Sequence, residues 1–263
     1  MSLDALKKDI RKHTLSFARR RSLPLDDTHA SALIFYNLDD NFHPESLENI
    51  RRTSYWDFRT RKAHPNVTGV LEMQSSNSSD ALLMSIFCHP SIAKWAGVKK
   101  LLGNTLEAVA FGVPGSVRKN NGQMDATEID MALPGVFCEA KLTEADFTQK
   151  RPEVVESYDG LQETFHPEAL PMVGTDYDNY QIIRNLLAAK QHNLDHILFC
   201  DERRPDLVRR YMATVSCLRN IEDRLRCRVI FWQEVVAVCG ESLREWIEEK
   251  YGIGQQFHEP DAR

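Results

Sequence analysis

Residues 127–141 read TEIDMALPGVFCEAK, two short apolar-rich runs on either side of Pro134-Gly135. Proline presets the first bend and glycine accepts the positive φ of the second, so the dipeptide predicts a turn. A symmetric hairpin about it places Met131 opposite Cys138, Asp130 opposite Glu139 and Glu128 opposite Lys141. A four-residue loop over 133–136 keeps the same register. Directly opposed side chains in an antiparallel pair lie about 4.5–5.5 Å apart at Cβ, where like charges repel. A divalent cation held between the two acids would reverse that penalty. The spacing therefore predicts a small oxygen-ligand metal site with an amine beside it. Alternation puts Phe137, Glu139 and Lys141 on one face, with Glu139 and Lys141 about 6.6 Å apart along the strand. Val136, Cys138 and Ala140 form the opposite, small and apolar face.

Asp130 followed by Glu139-Ala140-Lys141 resembles the signature of the PD-(D/E)XK nuclease superfamily. Ile129 stands where the family's name has proline, a position that varies among its members. The resemblance implies that Asp130 and Glu139 ligate Mg2+, with Mn2+ able to substitute, together with the backbone carbonyl of Ala140. It implies that Lys141 positions the attacking water or stabilises charge at the phosphate. Family members add an acid near the first core helix; Glu72, Asp80 and Glu107 are the candidates here, and Glu72 is preferred. They also carry a Gln on the helix beside the site, which Gln181 matches, with Arg184 matching less specifically.

The chain has 263 residues, 42% hydrophobic and 27% charged. That is enough to bury a substantial core. No apolar run reaches the roughly 18 residues of a membrane span, and the first 21 residues lack a signal-peptide core, so a cytoplasmic location is expected. The six cysteines form no CxxC pair. Buried reduced thiols are expected, and no zinc module. His89, His166, His192 and His196 lack ligand spacing and are expected at the surface or at caps. A net charge of −5 does not mark a nucleic-acid binder. Phosphate contacts need a local basic path, however. Lysines and arginines cluster over 7–21 and 51–62, and Arg118, Lys119, Lys150 and Arg151 are the candidate contacts near the hairpin.

The elements that must position these groups follow from periodicity and punctuation. Helices are expected over 3–21, 29–38, 44–63, 81–87, 90–102, 180–191, 205–223 and 241–251. Strands are expected over 106–113, on both sides of the Pro134-Gly135 turn, over 195–200 and over 228–236, with an irregular excursion at 143–174. The order matches the αβββαβ core of the same superfamily: an α/β, restriction-endonuclease-like fold with a mixed central sheet flanked by helices. The expected domains are an N-terminal helical extension (1–66) packed on the core, a nuclease domain (67–255) and a frayed tail (256–263).

The expected function is Mg2+-dependent hydrolysis of phosphodiester bonds, in DNA and by an endonuclease rather than an exonuclease. The alternative is a catalytically inactive nucleic-acid-binding or assembly module of the same fold. A third reading makes the resemblance accidental and the chain a hydrolase or transferase for a phosphate-bearing small molecule. The expected partner is nucleic acid, without a membrane, and the family resemblance allows a homodimer.

Overall fold

The computed structural model describes residues 1–64, 67–103, 106 and 108–254. The chain forms two compact units, one of residues 1–103 with 231–263, the other of residues 104–230. The expected boundary at 66/67 touches residue 66, and the expected tail spans 256–263; residues 66 and 256–263 lie outside those described.

The helices of six or more residues are α1 (Leu3–Arg20), α2 (Pro44–Arg51), α3 (Ser54–Arg59), α4 (Ser79–Phe87), α5 (Ala96–Leu102), α6 (Tyr180–His192), α7 (Pro205–Val215), α8 (Trp232–Ala237) and α9 (Glu241–Tyr251). The strands of the central sheet are β1 (Ala110–Pro114), β2 (Glu128–Leu133), β3 (Val136–Ala140), β4 (Asp195–Cys200) and β5 (Cys227–Phe231), in the order β5-β4-β3-β2-β1. β1 and β3 are both antiparallel to β2, and β4 runs parallel to β3. The sheet is mixed and the fold is α/β of the restriction-endonuclease-like kind.

In the first unit, α1 buries Leu6, Ile10, Thr14, Phe17 and Ala18, a stripe at helical spacing, and packs against α9. Ser2 caps α1 by accepting from the Ala5 N–H, and Thr14 Oγ1 donates to the Lys250 carbonyl at 2.8 Å. The helix expected over 44–63 is broken in two. Thr53 turns out of helical geometry and its hydroxyl caps α3 by accepting from Trp56 N. Around residues 29–38 the expected helix is instead a two-residue strand, Ile34–Phe35, paired with Leu25–Asp26, followed by a 3₁₀ turn at Leu38–Asn41. The segment 90–102 also divides, into a 3₁₀ turn at Ile92–Lys94 and α5, which Gly103 ends at φ +66°.

In the second unit the Pro134-Gly135 turn forms as read: Leu133 pairs with Val136 and Met131 with Cys138, with Gly135 at φ +79°. Every residue of β3 is buried, and β2 alternates half-buried and buried positions. The strand expected over 106–113 starts later, at Ala110. The excursion 143–174 holds one-turn helices and one strand of a small hairpin, and leads into α6. That connection is the crossover a parallel β3–β4 pair requires. α7 stops at Val215, short of the expected 223, and the strand expected over 228–236 ends at Phe231, where α8 begins.

All six cysteines are free; five are buried and Cys227 is half-buried, as expected for reduced thiols. Two histidines depart from expectation. His89 and His196 are both buried, not exposed or capping. His196 Nδ1 lies 2.9 Å from Tyr211 Oη. Burial pushes this imidazole down from 6.5 to about 4, against the pull of the Glu139 carboxylate. The unfolded chain takes up a proton there between pH 6.5 and 4 that the folded chain refuses, so stability is lost as pH falls through that window, by roughly 3 kcal/mol. Thermal unfolding followed by circular dichroism should show the midpoint dropping from pH 6.5 to pH 4, with a shallower drop in His196→Gln.

Candidate active site

The hairpin ladder ends at Met131–Cys138. One residue further, Asp130 and Glu139 are not a ladder pair. Asp130 Oδ2 instead accepts from the N–H of Ala140 at 2.8 Å. The Lys141 N–H goes to the Phe199 carbonyl of the β4 segment. The expected opposition of Glu128 and Lys141 is therefore absent. Glu128 pairs with Pro114 of β1, and its carbonyl accepts from Arg184 Nη2 at 3.0 Å. The strands separate as they leave the turn, and the acids fill the opening.

Glu139 is 1% exposed and Lys141 5%. Lys141 Nζ lies 2.8 Å from Glu139 Oε1 and donates to Gln181 Oε1 at 3.0 Å. Glu139 Oε1 is buried, and this ion pair with the Lys141 ammonium lowers the pKa of the Glu139 carboxyl. Glu139 Oε2 is satisfied, accepting from Asn185 Nδ2 at 2.7 Å. Arg184 Nη2 and Nε in turn donate to Asn185 Oδ1 at 2.9 and 3.2 Å. Gln181, Arg184 and Asn185 stand at i, i+3 and i+4 of α6 and so share one helix face.

The charges follow from this packing. Burial first, then the Glu139 carboxylate, pushes the Asp130 carboxyl up to about 7, against the Lys141 ammonium and the Ala140 N–H. Burial opposes the Glu139 charge too, but the Lys141 ammonium outweighs it and holds that carboxyl below the usual range. Burial would discharge Lys141; Glu139, Glu144 and Asp130 together hold it above the ordinary lysine value. The buried Glu139 and the half-buried Asp130, which is reluctant to ionise beside it, form an all-oxygen acid pair of the kind that suits a hard divalent cation such as Mg2+.

Asp130, Glu139, Ala140, Lys141 and Gln181 are thus brought together. Glu72 lies in the first unit, its Oε2 3.2 Å from Arg59 Nη1 and 2.8 Å from Lys62 Nζ. Asp80 is in the same unit, paired with Arg59 and hydrogen-bonded by the Tyr55 hydroxyl at 3.4 Å. Glu107 lies outside the described residues. In the second unit Arg118, Lys150 and Arg151 are exposed and Lys119 is half-buried. Lys150 Nζ sits over the Tyr180 ring at 5.6 Å, and Lys119 Nζ lies 3.6 Å from Asp125 Oδ2. Several cations of the N-terminal clusters have partners within their own unit: Arg21 with Glu249 at 2.6 Å, and Arg51 with Asp39.

Two site residues went unread in the sequence. Asn185 was readable as the position one turn beyond Gln181 on the same face. Glu144, whose Oε2 accepts from Leu142 N at 2.6 Å, lies past the strand and follows no periodic rule.

A mixed sheet whose central hairpin brings an acid pair to a buried lysine beside a helical Gln is that of a restriction-endonuclease-like protein. The chain belongs to the family described as restriction endonuclease associating with ARP, whose model matches residues 11–252. No curated protein and no solved structure matches it.

Asp130 sets a pH-dependent cost. Its folded value is raised above the ordinary 3.8, so the stability it contributes is full below that value and is lost as pH rises toward about 7. In EDTA at pH 8, Asp130→Asn should therefore melt at a higher temperature than the unaltered protein, with the gain vanishing near pH 4. Asn keeps an oxygen for the Ala140 N–H and sheds the charge.

Proposed function

We propose that this protein is a Mg2+-dependent nuclease of the PD-(D/E)XK type that hydrolyses phosphodiester bonds in DNA, acting as an endonuclease. The observation that carries the proposal is the buried Glu139, one oxygen bound by Asn185 and the other paired with Lys141, with Asp130 anchored to the N–H of the intervening Ala140. Asp130 and Glu139 would hold the ion together with the Ala140 carbonyl, and Mn2+ would substitute. When bound, the ion supplies positive charge at the reacting phosphate and lowers the pKa of water.

The chain's own residues do the rest. Asn185, itself held by Arg184, fixes the rotamer of Glu139. The Ala140 N–H fixes Asp130. Gln181 orients Lys141, whose ammonium is stabilised by three acids. That stabilisation favours a role as fixed positive charge beside the phosphate over a role as general base, because a base must be deprotonated at the working pH. Arg118, Lys119, Lys150 and Arg151 would contact the phosphate backbone. The family description associates its members with ARP, and an association of this chain with ARP belongs to the same reading.

Plasmid, linear duplex and single-stranded DNA incubated with the protein and Mg2+ provide the test. Cleavage should stop with EDTA and with Glu139→Gln. Lys141→Ala should lower the rate by about 10²-fold or more, as removal of one charge-stabilising group does elsewhere. Tight DNA binding without cleavage under any divalent ion would favour the inactive binding module instead.

If the four basic side chains contact phosphates, the binding constant for duplex DNA should fall steeply with salt. Lys150→Ala should reduce the slope of log K against log salt by about 0.9. Salt-independent binding, or an unchanged slope, would remove them from the interface.

A further inference from the structure

His43, Glu45 and His89 lie in the first unit, outside the site described above. Each offers a ligand atom within 4.8 Å of the other two. The imidazoles are 2% and 4% exposed, with ring centroids 5.3 Å apart. His43 Nδ1 has no hydrogen-bond partner, while His89 Nε2 faces Glu45 Oε2 at 3.4 Å. Buried polar atoms are bonded in the great majority of cases, so the bare His43 nitrogen beside an imidazole–carboxylate pair calls for a partner.

The backbone holds these side chains in place. Pro44 opens α2, which sets His43 at its cap and Glu45 in its first turn. His89 follows the end of α4. Three hydrogen bonds strap the two helices together: His43 N to Ser85 Oγ at 3.1 Å, Ser46 Oγ to the Ser85 carbonyl at 2.6 Å, and Asn49 Nδ2 to the Cys88 carbonyl at 2.9 Å. A second layer is present as well. Ser242 Oγ donates to Glu45 Oε1 at 2.8 Å and lies 3.5 Å from His43 Nε2. With its proton committed to Glu45, Ser242 can only accept from His43. The His43 proton is then on Nε2, and Nδ1 is left as a lone pair. Such outer contacts fix the tautomer of metal-binding histidines. His43 and Ser242 also line a cavity of about 510 Å³ with Phe42 and Trp246, which brings solvent space to one side of the set.

We propose that His43, Glu45 and His89 bind a first-row transition-metal ion, with Zn2+ the best match. Two imidazoles and one carboxylate with a fourth position open is a zinc ligand set of the open kind. Imidazole selects Zn2+ over Mg2+, which prefers oxygen. The absence of zinc-module spacing in the sequence does not bear on this set, because its members come from two helix ends 46 residues apart rather than from one motif. One contact must change on loading. The Ser91 N–H donates to His89 Nδ1 at 3.1 Å, so His89 Nε2 carries the proton in the ion-free protein. An ion at Nε2 sends that proton to Nδ1, and the Ser91 amide turns away.

Co2+ titrated into the full chain carrying Asp130→Asn, which disables the hairpin acids, reads this site by its visible absorption. One equivalent should bind with d–d bands and be displaced by Zn2+. Ser242→Ala should weaken binding by roughly 10-fold. His89→Gln should abolish it. Glu45→Gln, at a half-exposed side chain that the fold does not need, should weaken it at least as much as Ser242→Ala, with circular dichroism confirming that each variant is folded. No visible band, or a folded Glu45→Gln protein that binds Co2+ as tightly as its parent, would overturn the proposal.

Discussion

Two carboxylates, Glu139 buried and Asp130 half-buried, crowd one buried ammonium, and the second unit is organised around that constraint. Desolvation penalises every one of the three charges, and their mutual attraction offsets it only with good geometry and full hydrogen bonding. Each neighbour supplies part of this. Asn185 and Arg184 secure one oxygen of Glu139, the Ala140 N–H secures Asp130, and Gln181 secures Lys141. One acid, Asp130, is still pushed up to about 7. A group arranged purely for stability would not carry that cost, since an apolar replacement would avoid it. Strain of this kind collects at functional sites.

Topology delivers these neighbours to one place. β3 is buried along its whole length, with β2 and β4 along its edges and α6 packed against it. The parallel β4 demands a crossover, and α6 lays its Gln181, Arg184 and Asn185 face toward the site on the way. The segment that leaves β3 is fastened in turn by Arg204, which is buried and donates to the carbonyls of Glu144 and Ala145 at 2.8 and 3.1 Å. Lys141 therefore sits at the end of a strand whose exit is pinned, which limits where its amine can go.

The hairpin was legible from local chemistry alone. Pro134-Gly135 fixed the turn, alternation fixed the faces, and the pairing of Met131 with Cys138 followed. α1 and α6 carried clear apolar periodicity, α4 its serine cap and α9 the glycine that ends it. What failed was decided by single residues or by tertiary contacts. Thr53 stops a helix with one hydroxyl that also suits a helix interior. Ile34 and Phe35 pair with Leu25 and Asp26 in a two-residue ladder, too short to show any alternation. At Phe231 the strand gives way to a helix inside one continuous apolar run, where period cannot separate the two. The opposition of Asp130 and Glu139 was half right. Both reach the same site, but the ladder opens before them, and no sequence pattern reports where two strands part.

The most direct test of this account is a crystal of the protein soaked in Mn2+ and measured at an anomalous wavelength. The account predicts a peak bridging the Asp130 and Glu139 carboxylates at about 2.1 Å from each ligand oxygen. Clear density for Asp130, Glu139 and Lys141 in their present arrangement, with no peak between the two acids at millimolar ion, would contradict it.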